Sequence, residues 1–214
     1  MAKTKKQKLA LEVIERLREE YPDAECTLDY DQAWKLLIGV RLAAQCTDER
    51  VNIVVEKLYE KFPDVDALAD ADVAEIEEIV RPCGLGKSKA RDISACMKIL
   101  KEQYGGQIPK TFDELLKLPG VGRKSANLIM GDVFGEPAIV TDTHCIRLVN
   151  RIGLVDGIKE PKKVDGTLED HPTGGRKRFL SQTCIPRKGS VHGPHKTTLR
   201  QMLSGRYLCE ENLG

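Results

Sequence analysis

Apolar residues recur along residues 7–160 at the three-and-four spacing of helices buried on one side. Ala10, Val13, Ile14 and Leu17 mark one face of a first helix, which ends near Tyr21-Pro22. A second helix is predicted over about 31–44, with Trp34, Leu37, Ile38 and Leu42 inward. A third, over about 48–61, carries Val51, Val54, Val55 and Leu58. A short helix starts after Asp72, with Glu75 as its capping-box partner three residues on. The next spans about 87–103 and stops at Gly105-Gly106. Another begins behind Thr111, with Glu114 in the partner position, and two more follow Gly122 and Asp142. Alternating β patterns are nearly absent, so the expected fold class is all-α with short loops.

From about residue 165 the pattern stops. Residues 165–214 hold 7 of the 18 glycines and 3 of the 4 histidines, and only 8 Leu, Ile or Val. Their charge is +3, against −2 for the first 164 residues. A basic tail of this kind would ordinarily suggest phosphate binding.

Composition then narrows the classes. At 214 residues, 41% hydrophobic and 31% charged, the chain can bury a core without disulfides. Lys+Arg at 34 against Asp+Glu at 33 does not announce a nucleic-acid partner. No run approaches eighteen apolar residues, so no membrane partner is expected. The basic start, Met1 to Lys6, lacks the apolar stretch of a secretory signal. Seven irregularly spaced cysteines fit a reducing cytoplasm better than a disulfide framework.

The most informative stretch is Leu118-Pro119-Gly120-Val121-Gly122-Arg123-Lys124, between two helices. Pro119 stops the first. Gly120 and Gly122 permit positive φ and leave no side chain in the way. A tight turn then points backbone N–H groups outward at the next helix start, forming an anion seat that needs no basic patch. A lone G-x-G would more often be an ordinary helix–turn–helix corner; the full string is more specific. Gly84-Leu85-Gly86-Lys87-Ser88-Lys89-Ala90 weakly echoes it. That segment is no P-loop, because Arg81 stands where the motif needs a glycine.

Three strings, Leu42 to Asp48, Leu118 to Asn127 and Val140 to His144, occur in the order and spacing of a known family. On them, residues 7–164 resemble the endonuclease III family of helix–hairpin–helix DNA glycosylases. The resemblance implies a two-lobed fold: residues 26–136 as a helical domain with the hairpin, residues 1–25 with 137–164 as the second lobe, and the active site between them. It implies a monomer that acts on damaged double-stranded DNA, removes oxidised pyrimidines, and cuts 3′ to the abasic site. No divalent metal is needed. Lys124 matches the family's nucleophilic lysine and would attack the sugar C1′ to form a Schiff base. Its amine must be neutral to attack; a first-turn position disfavours positive charge, burial would act the same way, and a neighbouring carboxylate would oppose both. Asp142 matches the catalytic aspartate, and is equally the N-cap of its helix. Gln45 matches the glutamine that enters the gap left by a flipped nucleotide; its plainer reading is a polar loop residue. His144 could hydrogen-bond near Asp142 or cap locally, and the second reading is preferred. Cys46, Cys83, Cys96 and Cys145 read as small core residues. A relative specific for mismatched bases, and a non-catalytic DNA-binding module, are the competing readings.

The family also carries a [4Fe–4S] cluster on a C-x6-C-x2-C-x5-C run. Here only Cys184 and Cys209 stand in the tail, so that run is absent. Asp165 to Pro172 can be coded so that reading one base later gives the apolar string M-A-L-W-K-I-I. The same offset near Val191, Leu199, Met202 and Leu208 can read cysteine at four places. A frameshift near Val164 is therefore expected, with 165–214 an aberrant, poorly ordered tail. Sequencing the gene across codons 155–170 tests this, and an undisturbed frame shared with close relatives refutes it.

Overall fold

The computed structural model describes residues 4–20, 26–136, 138 and 140–169. The helix end expected at Tyr21-Pro22, and the expectations for Cys184, Cys209 and the rest of the chain after 169, lie outside the described residues. Among the described residues there are ten α-helices, one 3-10 turn and no strand. In order they are α1 (Lys5–Glu20), α2 (Ala33–Leu42), α3 (Asp48–Lys61), α4 (Val65–Asp70) and α5 (Val73–Val80). The 3-10 turn Arg81–Cys83 leads into α6 (Gly86–Tyr104), then α7 (Phe112–Leu115), α8 (Arg123–Asp132), α9 (Thr143–Ile152) and α10 (Pro161–Glu169). The all-α class read from the sequence holds.

Two compact units divide the chain: Glu25–Ala138, and the described N-terminal residues joined to those beyond Ile139. In the first unit α6 is the central helix, with α4 and α5 along it. Its buried stripe, Ile93, Met97 and Leu100, meets Leu36, Ile38 and Leu42 of α2, Val51 and Leu58 of α3, and Ile76 and Val80 of α5. Each large apolar side chain buried this way contributes roughly 1.5–3 kcal/mol, which is what holds such short helices in place.

Local signals set the helix starts. Thr47 caps α3 through the Arg50 N–H, and Asp64 caps α4 through the Ala67 N–H at 2.8 Å. The Thr111 hydroxyl accepts from the Glu114 N–H and donates to the Glu114 carboxylate at 2.6 Å. At Asp72 the expected capping box is only half made. Its carboxylate accepts from the Ala74 N–H, while Glu75 reaches Lys61 at 3.4 Å. Helix α2 starts two residues later than expected, with Gln32 as its extended N-cap, and Asp31 just before it pairs with Lys35 at 2.7 Å. Helix α4 escaped the pattern: six residues are too few for a helical period, and packing on α6 stabilises it.

The second unit is built on α1, α9 and α10. Ala10, Cys145, Val149, Leu154, Val155, Val164 and Leu168 form its core. The predicted α1 face is correct at Ala10 and Ile14, both buried; the Leu17 side chain lies outside the described residues. Helix α10 differs from expectation, since it continues to Glu169 and carries residues 165–169 that were assigned to the tail. Val164 and Leu168, one turn apart, bury against this core, and Asp165 between them is only 2% exposed. Two apolar residues around Gly166 are too short a pattern to recognise without their partners.

Candidate active site

The hairpin is built from α7, a turn and α8. Leu118 is buried and anchors the turn, and the Val121 N–H closes it on the Leu118 carbonyl at 3.2 Å. Gly120 takes φ 76°, where a side chain is strained. A Cβ there would lie 2.8 Å from both Cδ and Nε of Arg41 and 3.0 Å from Cβ of Asp92. Gly122, though free to take positive φ, has φ −102° and ψ 176°, ordinary extended backbone. Nothing lies within 4 Å of a Cβ at Gly122, so its bareness keeps open the space in front of the turn. Gly122 is the N-cap of α8 and supplies no side-chain cap, so the amide donors of the first turn keep their outward character.

Two contacts seat this hairpin that the sequence did not signal. Arg41 on α2 donates through Nε and Nη2 to one Asp92 carboxylate oxygen on α6, at 2.8 and 2.6 Å, directly beneath Gly120. Pro119 and Val121 close over the adjoining crevice between α2 and α6. The Arg123 guanidinium lies 5.1 Å from the centre of the Phe112 ring, tying the start of α8 to the start of α7. Arg41 and Asp92 are 51 residues apart, so no local pattern joins them.

Lys124 lies in the first turn of α8 and is exposed, so the burial allowed for in the sequence reading is absent. In the same unit Gln45 is exposed in the loop between α2 and α3, at φ 60°. In the other unit Asp142 caps α9: its Oδ1 accepts from the Cys145 N–H, and its carbonyl from the Ile146 N–H, both at 2.9 Å. The cap reading and the catalytic reading are compatible, since the cap orients the carboxylate. Beside it, the buried Thr141 hydroxyl donates to Asp165 of α10, a second tie invisible in the sequence. The His144 side chain lies outside the described residues.

The cysteines behave as packing residues. Cys83, Cys96 and Cys145 are buried and Cys46 is half-buried. Burial pushes the Cys83 thiol up to about 11 and the Cys96 thiol up to about 12, so neither offers a thiolate near neutral pH. Among the described residues no group of three or more His, Cys, Asp or Glu could hold a metal ion.

Residues 38–171 match the model of the HhH-GPD superfamily, base excision DNA repair proteins. Endonuclease III of Synechocystis sp. is 47% identical over 153 residues, covering 71% of this chain and 69% of that protein. Endonuclease III of Bacillus subtilis is 37% identical over 153 residues, covering 70% of each. The chain belongs to the endonuclease III family. Among solved structures, a trapped endonuclease III–DNA covalent intermediate superposes with a TM-score of 0.78 at 35% identity, covering 85% of each chain. This endonuclease III family member is a base-excision-repair DNA glycosylase with the family's helix–hairpin–helix fold. No helix among the described residues is long and apolar enough to cross a membrane.

The family generally carries a [4Fe–4S] cluster. Among the described residues no set of donors fits one. Cys26, Cys46, Cys83, Cys96 and Cys145 stand free, and the sequence beyond holds two cysteines where a cluster needs four thiolates.

Proposed function

We propose that this endonuclease III family member removes oxidised pyrimidines from damaged double-stranded DNA and then cuts the strand 3′ to the abasic site, with Lys124 as nucleophile. The observation that carries this reading is an exposed lysine in the first turn of α8, behind a glycine turn whose helix start has no side-chain cap. Such a start binds a phosphate through backbone N–H groups, and Lys124 then comes to the adjoining deoxyribose. Leu118, Pro119, Gly120, Val121, Gly122 and Arg123 form the phosphate-binding turn. Gln45 fills the gap in the duplex when the damaged nucleotide leaves the stack.

In the chemistry, the Lys124 Nζ lone pair forms a bond to C1′ while the base departs with the electrons of the glycosidic bond and takes up a proton. Opening of the sugar ring converts the adduct to a Schiff base. Loss of a C2′ proton then expels the 3′ phosphate by β-elimination. The Asp142 carboxylate stabilises the positive charge that develops on the sugar and accepts the amine proton. No divalent metal enters these steps. The reading is of a monomer in the cytoplasm, associated with the nucleoid if the source is prokaryotic.

Borohydride reduction on an abasic duplex tests this, because only a Schiff base can be reduced to a permanent cross-link. The expected result is a covalent complex with the wild type and none with Lys124→Gln. Binding without trapping would establish a DNA-binding module instead. A panel of duplexes with oxidised and mismatched bases identifies the base removed, and excision confined to mismatches would overturn the oxidised-pyrimidine assignment.

A further inference from the structure

Lys89 on α6 is completely buried, and among the described residues no carboxylate pairs with its ammonium. The Nζ group instead donates to three backbone carbonyls, those of Leu42, Ala44 and Cys83, each at 2.8 Å. An ammonium has three N–H donors, so this set is complete. A buried lysine without a counter-ion is costly, and an apolar side chain of the same size would be the cheaper filler for a core. What the cation does here is specific. Leu42 is the last residue of α2 and Ala44 lies two residues beyond it, so two of the acceptors are at the negative end of that helix. The third ends the 3-10 turn before α6. The residue after Ala44 is Gln45, whose φ of 60° is one of two left-handed values at non-glycine residues among the described residues. On its other side the Cys46 N–H returns to the Ala43 carbonyl at 3.2 Å, and Thr47 caps α3. Lys89 therefore fixes the backbone at the residue before the strained one and ties it to the turn that opens α6.

We propose that Lys89 is a positioning residue: its ammonium, by gathering the Leu42, Ala44 and Cys83 carbonyls, holds the Ala43–Cys46 loop in the shape that presents Gln45 to the gapped duplex. The proposal rests on the reading of Gln45 given above. It separates Lys89 from Lys87, which precedes it by two residues in the same glycine-lysine string and is exposed.

The test is a double-mutant cycle on the full chain, with Lys89→Met, Gln45→Ala and both together, and with Lys89→Gln as the variant that keeps amide donors. Binding is read on a duplex bearing a tetrahydrofuran site, which needs no chemistry, and insertion is read by 2-aminopurine fluorescence opposite that site. Folding is followed through Trp34. Gln45→Ala and Lys89→Met should each weaken site-specific binding about tenfold and lower the 2-aminopurine signal, while the pair together should lose about tenfold rather than about a hundredfold. Lys89→Gln should recover part of the loss. Additive losses, a wild type that does not distinguish the tetrahydrofuran site from intact duplex, or failure of both Lys89 variants to fold would each overturn the proposal. Failure of borohydride trapping with the cycle intact would strike the role of Lys124 and leave Lys89 in place.

Discussion

Replacing Gly120 by alanine tests how the hairpin is built. Two costs can be read from the structure. The φ of 76° strains any side chain, at about 1–2 kcal/mol. The new Cβ would also sit 2.8 Å from Cδ and Nε of Arg41 and 3.0 Å from Cβ of Asp92. The Arg41 side chain can swing away, but only by giving up its two bonds to Asp92, a half-buried pair worth about 1 kcal/mol. Gly120→Ala should therefore destabilise the unit by about 2–3 kcal/mol, a fall of roughly 10 °C in melting temperature. Trp34 is the single tryptophan and lies buried in the same unit, so its fluorescence reports this unit by itself. Gly122→Ala is the control. Its backbone is extended and a Cβ there meets nothing within 4 Å, so stability should change by less than about 0.5 kcal/mol. The same methyl stands in front of the uncapped helix start, so abasic-duplex binding should still fall. A Gly120→Ala protein melting like the wild type would refute the packing argument. A Gly122→Ala protein with unchanged DNA affinity would refute the phosphate seat.

Three further outcomes are expected. Asp142→Asn keeps an equally good N-cap, so stability should stay within about 0.5 kcal/mol, whereas borohydride trapping should slow about a hundredfold; unimpaired trapping would remove the carboxylate from the chemistry. Burial raises the Cys96 thiol from 9.0 to about 12, so between those values the folded protein keeps a proton that the unfolded chain releases. Its stabilising contribution is full below pH 9.0 and is lost as pH rises toward 12; Cys96→Ala should flatten the alkaline fall in melting temperature, and identical slopes would contradict this. Asp165→Ala removes the acceptor of the buried Thr141 hydroxyl and should cost about 1–3 kcal/mol in the unit of α1, α9 and α10, read by hydrogen exchange. No change there would contradict the buried tie between Thr141 and Asp165.

The helices were legible because each buries one stripe. Val51, Val54, Val55 and Leu58 in α3 show the period as plainly as they show burial. The cap at Thr111 was legible for a local reason, since donor and acceptor lie three residues apart. The hairpin string could be read as a turn that opens a helix, and Gly120 as its left-handed residue. At Gly122 the permitted positive φ is not used, because glycine is allowed it without being obliged to take it.

What the sequence determined by itself is everything carried by neighbours in the chain: helix periods, caps, and the string that places Lys124 in the first turn of α8 and Asp142 at the start of α9. What only the tertiary structure decided involves partners tens of residues away. Arg41 with Asp92 under Gly120, Lys89 with the Leu42, Ala44 and Cys83 carbonyls, and Thr141 with Asp165 are all of this kind. A lysine in a polar string looks solvated until the fold closes over it, because burial is a property of the packed helices and not of the residue.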